Sequence, residues 1–157
     1  MSQQVYLAGP CFSAAERRWN EDVLRDLESV CPSDFWFYLP QERVREDWPR
    51  TKIQQTLVDG LITTDVLIAN LDGPGGDDGT CWEMGFMAGM NTMALSLGRL
   101  QMCTRRIFWY RTDFRNGGDS DFNVNLMMAY GGTQIILSGT TPADVAKDIS
   151  RALIKLA

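Results

Sequence analysis

The sequence predicts an α/β protein, a flavodoxin/Rossmann-like doubly wound sheet of about five parallel strands flanked by helices. Three observations predict it. Short apolar runs alternate with helical patterns along the chain. The run over 66–71 is almost continuously aliphatic, as a strand covered on both faces should be. Three of the four segments that follow the strands are rich in Gly, Asp, Asn or Arg.

Each element has a local cause. Residues 5–8 form an apolar strand closed by Gly9 and Pro10, and Ser13 with Glu16 fits a capping box that opens a helix carrying Trp19, Val23, Leu24 and Leu27. Residues 35–39 are aromatic and apolar and stop at Pro40; polar 41–50 reads as a long loop before a helix through Leu57 and Leu61. The strand over 66–71 leads into a Gly/Asp-rich loop over 72–79, and a helix starts near Thr80. Strands follow at 107–110 and 134–137. Thr141 and Pro142 are a cap and first-position pair for a last helix with Val145, Ile149, Leu153 and Leu156 on one face. Residues 94–105 fit either an extension of the third helix or a loop.

At 157 residues and 45% hydrophobic content, the chain is long enough for one substantial core, and a single domain over 1–157 is expected. The net charge of -5 argues against a surface that grips nucleic acid. The residues after Met1 show neither a basic n-region nor a long apolar stretch, which predicts a cytoplasmic protein with no membrane partner. Cys11, Cys31, Cys81 and Cys103 form no CxxC pair, so reduced thiols are expected and no metal site. The absence of histidine removes the usual general base and the commonest metal ligand. Acid-base chemistry falls to carboxylates, Tyr, Lys or Cys, and no cofactor is implied.

In doubly wound sheets ligands bind beyond the carboxyl ends of the strands. That rule directs attention to the segments 9–13, with Gly9 and Phe12, 41–48, with Gln41, 72–83 and 111–125, and most of all to the stretch 75–85. In that stretch glycines permit a tight turn, Thr80 caps or enters the helix, and Glu83 is expected in its first turn, where the helix dipole favours the ionised carboxylate. Asp77 and Asp78 stand back in the loop, suited to sugar hydroxyls. An isolated Glu here would simply complement the dipole. Trp82, Met84, Phe86, Met87 and Met90 crowd the same helix, however, so Glu83 is expected to be partly buried. The methionines are read as core or subunit-interface packing, and Gly85 and Gly89 as permitting close helix packing.

The pattern Asp77-x-Gly79-Thr80-x-x-Glu83-x-Gly85 resembles the active-site signature of nucleoside 2-deoxyribosyltransferases. Residues 5–10, 66–71, 110–115 and 125–127 resemble further segments of that family in the same order. The resemblance implies that Glu83 attacks the anomeric carbon to form a glycosyl-enzyme intermediate, which a second base displaces from the same face. It implies that Tyr6 orients Glu83 and that Asp77 holds the sugar. Asn125 would bind the 5' hydroxyl in a neighbouring subunit's site, so a homo-oligomer, dimer or hexamer, with shared active sites is expected. An aspartate on the helix before the central strand would contact the base and assist its protonation, and Asp59 is the candidate. Substrates would be nucleosides and free nucleobases.

Elementary chemistry is compatible with this. An N-glycosidic bond breaks through an oxocarbenium-like state that needs an anion beneath C1' and a proton donor for the departing base, for which carboxylates suffice. A bound base beside the intermediate favours transfer over hydrolysis when water is excluded. The nearest alternative is a deoxynucleoside 5'-monophosphate N-glycosidase, which needs a phosphate cradle after the first strand; Arg17 and Arg18 lie near it, whereas Phe12 and Asn125 favour an uncharged nucleoside. Residues 74–83 also nearly repeat the PGGxGTxxE motif of cytokinin-activating phosphoribohydrolases, with one extra residue. A non-catalytic nucleotide-binding flavodoxin-like domain is the alternative outside enzymes.

Overall fold

The computed structural model describes residues 2–73, 76–99, 105–113 and 124–155. Five parallel strands lie in the order β2-β1-β3-β4-β5: β1 (Gln3–Ala8), β2 (Phe35–Tyr38), β3 (Val66–Asn70), β4 (Arg106–Tyr110) and β5 (Thr133–Gln134). This is the doubly wound arrangement expected. The chain reverses direction across the sheet between β1 and β3, the switch point where such sheets open a ligand crevice. The crevice is tight there, since a Cβ at Gly9 would come within 3.1 Å of the Asn70 Cβ.

Side chains of β1 alternate between the two faces of the sheet. Val5 and Leu7 join a core with α1 (Ala14–Val30) and α6 (Pro142–Ile154); Tyr6 and Ala8 join the opposite core with α3 (Arg50–Ile62) and α4 (Asp78–Ser96). That parity puts the Tyr6 ring on the α4 side. β3 is buried at every position, which explains its uninterrupted aliphatic run. The capping box of Ser13 and Glu16 is formed, and Thr141 caps α6 with Pro142 in its first turn.

Several expectations need correction. The segment read as a loop over 41–50 begins with a short helix, α2 (Pro40–Arg43), because Pro40 supplies a preset φ at the first helical position. The last strand is Thr133–Gln134 and not 134–137. Ile135 still donates to the Trp109 carbonyl at 2.8 Å, but Ser138 is drawn to the Asp148 carboxylate, and the ladder ends. The third helix starts at Asp78 with Asp77 as its cap, because Asp77 accepts from the Thr80 amide. It runs to Ser96, so 94–96 extend it. A Cβ at Gly85 or Gly89 would meet nothing, so neither serves close packing among the described residues. Gly75, Cys103, Phe114, Arg115, Phe122 and Leu156 lie outside the described residues.

Candidate active site

The Tyr6 hydroxyl donates to Glu83 Oε1 at 2.6 Å. Strand parity delivers the phenol, and the second turn of α4 delivers the carboxylate. Tyr6 is fully buried and stacks on Tyr38, ring centroids 5.0 Å apart and planes 10° from parallel. Tyr38 in turn donates to the Thr56 carbonyl at 3.1 Å and occupies the space a side chain at Gly60 would need, its Cζ only 2.6 Å from where a Cβ would lie. Gly60 therefore seats Tyr38, and Tyr38 seats Tyr6.

Burial pushes the Glu83 carboxyl up to about 7; the Tyr6 hydrogen bond opposes this, and the charge of Asp77 adds to it. The expectation of an ionised form favoured by the helix dipole is thereby reversed. Because α4 starts two residues earlier than expected, Glu83 falls in its second turn, beyond the turn where the dipole acts strongly, and desolvation dominates. The half-buried state expected of Glu83 is found. Burial and the Glu83 charge hold the Tyr6 phenol far above its ordinary range, so it stays protonated and can only donate.

Asp77 caps α4, its Oδ2 accepting from the amide and the hydroxyl of Thr80, both at 2.8 Å. Asp78 is exposed and accepts from the Gly79 amide at 2.8 Å. Phe12 is 75% exposed at the lip of the loop after β1. Gln41 is bound to α1: it accepts from Asn20, which also donates to the Pro10 carbonyl, and it donates to the Arg17 carbonyl. It thus braces the loop that carries Gly9.

Asp59 and Asn125 are placed apart from Glu83. Asp59 is exposed, accepts from Gln55 at 2.8 Å, and is felt at Tyr38. The groove that contains Glu83 is walled on the α3 side by Arg50, Ile53, Gln54, Leu57 and Val58, a helical face that excludes Asp59. Asn125 caps α5 (Leu126–Gly131), accepting from the Met127 amide at 2.9 Å. It lines a second groove with Cys81, Met84, Gly85 and Ala88. At 100° per residue those positions lie on the side of α4 opposite Gly79, Trp82 and Glu83.

Two residues of the segments after β1 and β4, Cys11 and Arg111, had no role expected of them. The Cys11 thiol is raised by burial and by the charges of Asp77 and Glu83, which places it at the same site. Its position two residues beyond Gly9 was the available signal. Arg111 is only 2% exposed; it donates to the Gly73 carbonyl at 2.6 Å and pairs with Asp113 at 3.3 Å, while Asp72 accepts from the amide and hydroxyl of Thr112. This network ties the loops after β3 and β4 together at the crevice.

Fold and site define a doubly wound α/β protein with a phenol-held carboxylate beside the switch point of its sheet. The family model for nucleoside 2-deoxyribosyltransferase matches residues 5–127, and the chain belongs to that family. No curated protein matches it in sequence. Among solved structures, a conserved protein from Enterococcus faecalis V583 is similar with TM-score 0.70 and 22% identity, over 97% of this chain and 99% of that one. A 2-deoxyribosyltransferase from Bacillus psychrosaccharolyticus is similar with TM-score 0.58 and 18% identity, over 94% and 90%. A CMP N-glycosidase from Clostridium botulinum is similar with TM-score 0.59 and 13% identity, over 96% and 99%. These three likenesses concern the fold. Among the described residues no helix is long and apolar enough to cross a membrane.

Proposed function

We propose that this chain, acting as one domain, exchanges the nucleobase of 2'-deoxyribonucleosides through a covalent glycosyl-Glu83 intermediate. The observation that carries the reading is the Tyr6–Glu83 hydrogen bond at the end of a groove open to solvent. The phenol fixes one carboxylate oxygen and leaves the other to attack C1'. Asp77, whose Oδ2 is fixed by Thr80, holds the sugar hydroxyls, with Asp78 outside it. Gly9 allows the loop after β1 to pass close to β3, Phe12 covers the mouth, and Gln41 braces that loop.

The site is completed by a second copy of the chain. Within one chain Asn125 borders a groove along the far side of α4, so it serves a site most simply in trans. The surface beside it is apolar, with Met127 82% and Tyr130 77% exposed, as a subunit contact requires. A homo-oligomer working in the cytoplasm on salvaged nucleosides follows from this reading. Asp59 is not needed at the reacting centre.

The monophosphate N-glycosidase reading is disfavoured by the loop after β1. Arg17 is spent on the carbonyls of Cys11 and Phe12, Arg18 pairs with Asp22, and Ser13 caps α1. Incubation with a deoxynucleoside and a different free base tests the proposal: the exchanged nucleoside should form. Accumulation of free base alone, or cleavage of monophosphates only, contradicts it.

A further inference from the structure

We infer that Arg50 is a specificity-determining residue that selects nucleobases presenting two adjacent acceptors, the 6-oxopurine type, over 6-aminopurines. The inference rests on the reading of Glu83 as the nucleophile, because that fixes which groove receives the base. The groove runs from Glu83 between α3 and α4, walled by Leu57, Val58 and Trp82, with a volume of about 290 Å³. An apolar slot with an indole on one side suits a flat heteroaromatic ring. Trp82 is held for this by stacking on Phe86, centroids 5.1 Å apart.

Two polar side chains join that wall besides Glu83, namely Arg50 and Gln54. Arg50 is the first residue of α3 and exposed, and none of the hydrogen bonds or ion pairs found among the described residues uses its guanidinium. Arg45, five residues earlier in the chain, is by contrast paired with Asp47 at 2.9 Å. A guanidinium offers only donors, in a planar fork. The Hoogsteen edge of a 6-oxopurine presents N7 and O6, two acceptors; that of a 6-aminopurine presents N7 and a donor, which the fork cannot satisfy. Gln54 can serve either.

The same residue bears on the chemistry of departure. Among the described residues that line the groove Glu83 is the one carboxylate, and it is occupied as nucleophile. Arginine does not give up its proton. As the Glu83 oxygen bonds to C1', the electron pair of the C1'–N bond passes to the base, which leaves as an anion delocalised onto O6 and N7 beside the guanidinium. That anion either attacks C1' from the same face, returning Glu83 to a carboxylate, or diffuses away and takes a proton from water. The hydroxide so formed takes the N–H proton of the incoming base as its nitrogen bonds to C1' and the C1'–Glu83 bond breaks to the carboxylate. A phosphate is a poor occupant, since a dianion calls for several converging donors and the slot supplies one cation among Ile53, Leu57 and Val58.

The test is equilibrium binding by calorimetry to the Glu83→Ala protein, which cannot turn over. With Arg50 present, 2'-deoxyinosine should bind about 10-fold to 100-fold more tightly than 2'-deoxyadenosine. Adding Arg50→Ala should abolish the preference, and Arg50→Lys should restore only part of it, because the charge returns without the fork. An exposed position makes both substitutions compatible with folding. Equal affinities with Arg50 intact, or a preference that survives Arg50→Ala, overturns the inference. So does a loss confined to 2'-deoxyinosine 5'-monophosphate, which would make Arg50 a phosphate ligand. Because the protein tested lacks Glu83, failure of the nucleophile reading shows separately, in the exchange assay of the wild-type chain.

Discussion

The phenol of Tyr6 and the carboxylate of Glu83, far apart in sequence, meet at 2.6 Å beside the β1–β3 switch point. Burial pushes the carboxyl up to about 7 and the phenol's hydrogen bond pulls it back. The nucleophile must be ionised, so exchange should rise with pH through about 7 and level off above it. Tyr6→Phe removes a donor to the charged form and should move this limb upward in pH, lowering the rate at neutral pH by about 10-fold or more. Profiles of kcat/KM against pH for the two proteins check it; an unmoved limb would show that the hydrogen bond does not tune Glu83.

The same desolvation should be visible in stability. A carboxyl whose folded pKa is raised contributes stability that is full below the unfolded value and is lost as pH rises through the folded value, here about 7. Glu83→Gln keeps the shape and removes the charge. It should therefore stabilise the fold by about 1–3 kcal/mol at pH 8 and leave it nearly unchanged near pH 4.5. Urea unfolding at the two pH values decides, and a variant less stable than wild type at pH 8 would contradict the assigned cost of burial.

How far these features were legible in the sequence depends on the range of the contacts. The Ser13–Glu16 box, the Thr141–Pro142 start and the buried run of β3 are set by neighbours in the chain and could be read directly. Glu83 stood out because apolar bulk surrounded it. Its raised carboxyl did not, since that depends on how far burial outweighs the Tyr6 hydrogen bond and on the nearby charge of Asp77, which only the packed elements settle. The Gly60–Tyr38–Tyr6 stack and the brace from Gln41 to Asn20 join residues on different elements and have no local signature. Asp59 was placed by family resemblance alone, and its direction on α3 could be judged only with the groove in view.

Asp77 and Asp78 should separate by function. Asp77→Ala loses both the cap, worth about 0.5–2 kcal/mol, and the sugar contact, whereas Asp77→Asn keeps a capping oxygen and should lose activity with little loss of stability. Asp78→Ala should change exchange only a few-fold, because its side chain is exposed and serves the Gly79 amide. Paired measurements of melting temperature and exchange rate test this. Identical effects of Asp77→Ala and Asp78→Ala on exchange would reduce both residues to turn formers.

A shared site makes a mixing experiment informative. Glu83→Ala and Asn125→Ala should each be nearly inactive, yet exchange of subunits between them creates some sites that carry both intact residues, and activity should reappear. A mixture that stays inactive after mass spectrometry has shown subunit exchange would leave Asn125 with only its role as the cap of α5.

The central claim is that Glu83 forms the bond to the sugar. Incubation with a slow 2'-fluoro nucleoside, followed by intact-mass and peptide analysis, should show one deoxyfluororibosyl adduct on the peptide that contains Glu83, and none on the Glu83→Ala protein. An adduct on another residue, or substantial base exchange by Glu83→Ala, would contradict the account.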